Sequence, residues 1–187
     1  MSAPAGRPLR ADAARNRAAV VAAARDAFAS KGVEASLEEI ARAAGVGPGT
    51  LYRHFPARAD LVAAAVAEHV AELRADAVRL GAATDPAAAL VEWIHLLAAY
   101  SGTYGGLPNS VLAASAADGP LARICQDLEG LTGELVVRAQ ASGRVRAEVS
   151  GEDVFVLANA LAWADSHDLE HARSTDRIAI LVRGILT

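Results

Sequence analysis

Apolar positions recur along this chain with the period of a helix almost from end to end. In ADAARNRAAVVAAARDAFASKG they fall at Val20, Val21, Ala24, Ala27 and Phe28. That is the i, i+3/i+4, i+7 spacing of an amphipathic helix, and with a stop at Gly32 it predicts a first helix over about 11–31. SLEEIARAAG opens on Ser36 with Glu39 three residues on, a capping box in which each side chain satisfies the other's free backbone N–H. Ile40 faces inward, and Gly45 ends this second helix after about two turns. Pro48 suits the first turn of a short third helix, about 48–54, because its absent N–H would have no partner there. Leu51 and Phe55 can then face the core, which turns Gly49, Thr50 and Arg53 outward and leaves Tyr52 and His54 on the flanks. Two short helices around a tight glycine turn, the second with small and polar outward residues, meet the requirements of a helix-turn-helix.

From Arg58 a long helix is predicted to about Leu80, with Leu61, Val62, Ala65, Val66, His69, Leu73 and Ala77 at helical spacing. Gly81 and TDP mark its exit; Asp85 can cap and Pro86 can open the apolar helix PAAALVEWIHLLAAYSG, to about Ser101. GTYGG sets off LPNSVLAASAA, and DGP sets off a segment of about 120–141 carrying Leu121, Ile124, Cys125, Leu128, Leu131, Leu135 and Val136. SGRVRAEVSGED is a connector with a second capping pattern, Ser150 with Asp153, before two last helices of about 152–171 and 176–186. With no repeat and no low-complexity linker, the expected fold is all-α with about nine helices. A three-helix N-terminal module, residues 1–57, is fused through the helix beginning at Arg58 to a helical domain over 58–187.

Composition strengthens this picture. Of 187 residues 46 are Ala, the best helix former, and aromatics make up 4%. Cys125 is the single cysteine, so no internal disulfide framework exists. The N-terminus lacks a basic-then-apolar signal pattern, and the long uncharged run, residues 93–117, is interrupted by GTYGG and Pro108, so no continuous apolar stretch reaches the roughly 18 residues of a membrane span. A soluble cytoplasmic protein with no membrane partner is expected.

The net charge of −4 conceals an asymmetry. Residues 1–58 hold nine basic against five acidic residues, a net of +4, and residues 59–187 hold nine against seventeen, a net of −8. Seventeen of the 18 basic residues are Arg, whose planar fork suits phosphates and guanine edges, although codon composition alone also produces an Arg-rich chain. The N-terminal GRPLRADAARNR fits either a solvated tail or an arm that reaches an anionic partner.

A first helix ending AFASKG, then S-x-x-x-IA-x-x-AGV, then GTLYRHFPAR-x-DL together resemble the tetracycline-repressor (TetR) family of DNA-binding regulators. Over residues 62–187 the resemblance is in length and helix count, with ASGRVRAEV and ILVRGIL as common features of such tails. It implies an all-helical homodimer whose N-terminal module binds double-stranded operator DNA and whose C-terminal part holds a small-molecule effector; most members repress. No Gly-rich phosphate loop, metal-spaced Cys cluster or nucleophile elbow is present in the sequence, so no cofactor and no metal are expected. Carried over residue by residue, the resemblance puts Pro48, Gly49, Thr50 and Arg53 at the DNA groove, with Tyr52 and His54 near phosphates. Arg58 stands where Lys is common and Ser36 where Thr is common; Leu37 departs from a frequent second hydroxyl. The chemistry agrees. Gly49 lets the helix approach closely, Thr50 can meet a base or phosphate, and Arg53 can fork onto guanine. Arg15, Arg17, Arg42 and Arg58 can add salt-dependent phosphate contacts. A surface role for His54 stays open beside the phosphate role.

For the effector, Trp93, His95, Tyr100, Tyr104, Phe155 and Trp163 suggest an apolar cavity, with His95, Tyr104, Asn109 and Asn159 as polar anchors and Cys125 as a soft thiol; plain core is the competing reading of each. Cys125 sits on an apolar face, which disfavours a redox sensor. Stripes at Val154, Leu157, Ala158 and Leu161, and at Ile178, Leu181, Val182 and Ile185, exceed what one inner face needs and predict a dimer through the last two helices. HDLEH, residues 167–171, matches the inverted zinc-protease pattern with His167 and His171 one turn apart. It lacks a further ligand well downstream, so a polar helix end or dimer rim is preferred to a zinc hydrolase. An effector-independent architectural DNA-binding protein is the other alternative.

Overall fold

The computed structural model describes residues 7–114, 118–167 and 174–187, except for the side chains of residues 7–10, 109, 112–114, 165–167 and 174–176. Nine helices form among the described residues: α1 Arg7–Lys31, α2 Leu37–Ala43, α3 Pro48–His54, α4 Arg58–Gly81, α5 Pro86–Gly102, α6 Leu107–Ala114, α7 Pro120–Ala141, α8 Gly151–His167 and α9 Ser174–Ile185. The predicted third and seventh helices are matched closely, whereas α1 begins earlier than its apolar stripe.

Capping explains several boundaries. The Asp85 carboxylate accepts from the N–H groups of Ala87 and Ala88 at 3.1 and 3.0 Å, with Pro86 in the first turn of α5. The Ser150–Asp153 box is complete: Ser150 N–H donates to the Asp153 carboxylate at 3.1 Å and Asp153 N–H donates to Ser150 Oγ at 3.0 Å. The Ser150 hydroxyl, which donates to the same carboxylate at 2.6 Å, and then the Ser150 N–H hold the Asp153 carboxyl below its usual range. The expected Ser36–Glu39 box forms only half. Ser36 Oγ accepts from Glu39 N–H at 3.3 Å, but the Glu39 carboxylate turns to Lys31 Nζ at 2.6 Å, a full charge that outcompetes a neutral N–H.

One apolar cluster runs through the molecule, from Val20 and Phe28 of α1, through Leu51 and Phe55, to Ile178 and Ile185 of α9. α4 joins the module to the rest, packing on α1, α5 and α7, and Arg25 of α1 adds bonds to Ala65 O and Glu68 at 3.1 and 2.6 Å. The two tail segments singled out in the sequence meet: Val145 and Leu186 form an antiparallel bridge, with Arg146 N–H on Ile185 O at 3.0 Å.

Val154, Ala158, Ile178 and Ile185, expected on a dimer face, are buried in the chain's own core. Leu157 of the same stripe stays exposed at 44%, beside Val156 at 38% and with Trp163 one to two turns on; Leu161, Leu181 and Val182 are half-buried, and Ile180 of α9 is 62% exposed. The free surface is narrower than the stripes suggested because α8 is apolar nearly all round and the core takes part of each.

Candidate functional site

α3 is placed by the turn before it. Gly45 takes φ +69°, a left-handed conformation costing a residue with a Cβ about 1–2 kcal/mol. Its N–H reaches Arg42 O at 3.1 Å, and Val46 N–H reaches Ala41 O at 3.0 Å. This bond pair is a Schellman motif, which satisfies the carbonyls at the end of α2 while reversing the chain. Leu51 and Phe55, at 1% and 2% exposure, then fix the inner face of α3. Pro48, Gly49, Tyr52 and Arg53 are left exposed, with Thr50 and His54 half-buried.

The basic residues of this module divide by partner. Arg15 is ion-paired with Asp12 on its own helix, and Lys31 is paired with Glu39. Arg17 lies over the Phe55 ring, 5.2 Å from its centroid, beside the end of α3. Among the described residues of the module, Arg17, Arg42 and Arg53 make no ion pair. Ser36 is a helix cap.

Arg58, expected at a phosphate, is engaged within the free chain. Its Nη1 turns back to donate to Val33 O at 2.6 Å and Ala35 O at 2.7 Å, with Glu34 3.7 Å from Nε. Both carbonyls belong to the α1–α2 turn, whose lone pairs no neighbouring helix satisfies, so a cation at the start of α4 meets a real demand there.

A cavity opens between α4, α5, α6, α7 and α8. It is a narrow cleft, about 50 Å³ to the centre of a water-sized sphere, and partly open to solvent. Tyr100, Tyr104, Cys125, Phe155 and Asn159 line it. Three other expected residues do not. Trp93 is fully buried and its indole N–H donates to Thr132 Oγ1 at 2.9 Å; His95 faces solvent; Trp163 is 40% exposed on α8. The Asn109 side chain lies outside the described residues, as do residues 168–171 of HDLEH. Among the described residues no three metal-binding side chains cluster.

His69 and Ser101, absent from the expected set, are also on the wall. His69 had a signal: it is the one polar ring in the apolar series of α4, and it lies 5.8 Å from Tyr100 and 5.9 Å from Tyr104, ring to ring. Ser101 Oγ donates to Asn159 Oδ1 at 2.7 Å, and Asn159 Nδ2 donates to Phe155 O at 2.8 Å. Burial pushes the Cys125 thiol up to about 11, so it stays neutral and unreactive at neutral pH.

Tyr104 also touches the N-terminal module. Its ring meets Phe28 of α1 edge-on at 6.4 Å, and the next residue, Gly105, accepts Val33 N–H at 2.8 Å. Gly32 makes this approach possible. It takes φ +78°, and a Cβ there would lie 2.6 Å from Gly105 O. The Val33 peptide is therefore held on both sides, its N–H by the α5–α6 loop and its carbonyl by Arg58.

Comparison with protein families assigns both halves. A profile described as "Bacterial regulatory proteins, tetR family" matches residues 20–65, and one described as "Transcriptional regulator SbtR-like, C-terminal domain" matches residues 85–187. The chain belongs to the TetR family. A TetR transcriptional regulator from Streptomyces coelicolor is 32% identical, covering 91% of this chain and 98% of that one at a TM-score of 0.60. A TetR transcription regulatory protein from Mycobacterium vanbaalenii is 33% identical, covering 96% and 100% at 0.54. Thermus thermophilus FadR, a TetR-family repressor solved with lauroyl-CoA, shares the fold at 22% identity, covering 89% and 91% at 0.66. No curated protein matches. This TetR-family regulator is thus a DNA-binding transcriptional regulator with an N-terminal helix-turn-helix, and among its described residues no helix is long and apolar enough to cross a membrane.

Proposed function

We propose that this TetR-family regulator is a ligand-relieved repressor that binds a two-fold-related operator as a homodimer. Pro48, Gly49, Thr50 and Arg53 meet the bases, and Arg17, Arg42, Tyr52 and His54 meet the phosphates. What supports this is the surface α3 leaves free after its packing residues are accounted for, together with the module's cations that lack a carboxylate partner. The dimer forms through α8 and α9 around Leu157, Val156, Trp163 and Ile180, whose exposure one chain does not explain. A cavity in the C-terminal part favours this reading over an effector-independent architectural protein.

The observation that carries the regulatory part is the double hold on the Val33 peptide. A ligand entering beside Tyr104 displaces a ring that touches Phe28 and the loop bonded to Val33. Module and cavity then cannot both keep their preferred positions, which makes ligand and operator binding antagonistic. The coupling expected is about 1–3 kcal/mol. Fluorescence anisotropy of a bound operator duplex should show affinity falling by roughly tenfold when a cavity ligand saturates the protein. A saturating cavity ligand that leaves operator affinity unchanged would refute the mechanism.

Gly49 offers a separate check on the reading surface. A Cβ at this position meets nothing within 4 Å, so in free protein Gly49→Ala should raise stability by about 0.5–1 kcal/mol, the helix-propensity gain. On DNA the added methyl group stands between helix and base edges, and operator affinity should fall. A variant that melts higher and binds equally well would show that Gly49 lies away from the groove.

A further inference from the structure

The wall of the cavity limits what it can take. None of the sixteen residues lining it is Arg, Lys, Asp or Glu. The Tyr100 hydroxyl donates away to Glu72 at 3.1 Å. Tyr100 therefore offers its ring, not its hydroxyl, to the interior. Burial, ahead of the nearby charges, holds the Tyr104 hydroxyl in its neutral form. Cys125 Sγ is directed to Val111 O. What remains polar is the His69 imidazole, the neutral Tyr104 hydroxyl and the pair Ser101 and Asn159, the last two buried to 9% and 1% exposure. An amide carries two protons and a carbonyl oxygen with two lone pairs. Asn159 uses one proton on Phe155 O and one lone pair on Ser101, which leaves a donor and acceptors in an otherwise hydrocarbon wall.

We infer that the cavity takes an uncharged, mainly hydrocarbon ligand carrying one hydrogen-bonding oxygen, a carbonyl or a hydroxyl, held by Ser101 and Asn159. The inference rests on the effector reading above and specifies its ligand. An ionised head group would lose its hydration here without gaining a counter-charge. A neutral oxygen exchanges one water contact for the free Asn159 N–H, while its hydrocarbon part displaces water from Leu73, Leu97, Leu128 and Phe155.

The test uses three probes with the same eight-carbon chain, 1-octanol, octanoate and octylamine, at pH 8, where they are neutral, anionic and cationic. Each is titrated calorimetrically into the full-length protein. Octanol should bind, and the two ions should bind at least tenfold more weakly. Leu73→Trp, which fills the cavity, should abolish octanol binding. Ser101→Ala, which removes a hydroxyl at little change of size, should weaken it by roughly threefold to tenfold, the range of one hydrogen bond. Thermal melts show whether each variant folds, and Ser101→Ala carries the test if Leu73→Trp does not. Ions binding as tightly as octanol, and blocked by Leu73→Trp, would overturn the uncharged class while leaving an effector cavity. No octanol binding, or binding indifferent to both substitutions, would overturn the inference. Octanol held in the cavity with operator affinity unchanged would instead count against the regulatory reading and leave the ligand class standing.

Discussion

Leu157→Glu should convert the protein to a folded monomer that no longer holds its operator. Leu157 is 44% exposed in one chain, so the substitution leaves the core intact and the melting temperature of the monomer should change little. In a two-fold interface the same residue appears twice, and two glutamates would face each other near the axis without a cation to pair them. Burying each such charge costs several kcal/mol, enough to dissociate a dimer at micromolar concentration. One short α3 reads too few bases to hold an operator alone. Affinity should drop from the specific range, about 10⁻⁸ M or tighter, toward the 10⁻⁴–10⁻⁶ M of non-specific binding. Light scattering and anisotropy on the same sample decide this; a Leu157→Glu dimer with normal operator affinity would place the interface elsewhere.

Arg58→Ala should damage the module in a way that losing a phosphate contact would not. The side chain holds two carbonyls of the α1–α2 turn at 2.6 and 2.7 Å, and it is one-third exposed. Hydrogen bonds to a charged group contribute about 1.5–3 kcal/mol each when buried, so after discounting for solvent screening a loss of about 2–3 kcal/mol is expected. For a chain of this size that lowers the melting temperature by roughly 4–12 °C. Operator affinity should fall alike for all sequences, with the slope of log affinity against log salt unchanged. Removing a phosphate contact would flatten that slope by about 0.9 and leave the melt alone. Arg58→Lys separates the two further: a point charge would rescue a phosphate contact, but on a stem one atom shorter it does not reach the place where Nη1 meets both carbonyls. Full rescue by Lys, with a flattened slope in Ala, would restore the phosphate role.

The bonds of Arg58 within the chain show where the sequence stops being readable. Helices whose ends are set by neighbours within four residues were legible. Asp85 with Pro86, Ser150 with Asp153, and Pro48 with Leu51 and Phe55 all contain their own reasons. Features set by distant partners were not. Lys31 takes Glu39 from its expected cap across eight residues, and Arg58 answers carbonyls 25 and 23 residues behind it. The contact of Gly32 and Val33 with Gly105 joins two loops that local pattern can only mark as loops. The cavity was half legible for a related reason. Aromatic type does not say which way a ring faces, so Trp93 went to the core and His95 to solvent. Asn159 and His69 stood out, or could have, as polar residues inside apolar stripes.

Selection of bound duplexes from a randomised library, with the full-length protein at near-physiological salt, tests the central claim most directly. The account predicts enrichment of a two-fold-symmetric sequence whose half-site centres lie one helical turn, about 34–36 Å, or a multiple of it apart. Arg53→Ala should erase the preference at one position in each half-site. Enrichment of a single unrepeated site, or no enrichment over the starting library, would contradict it.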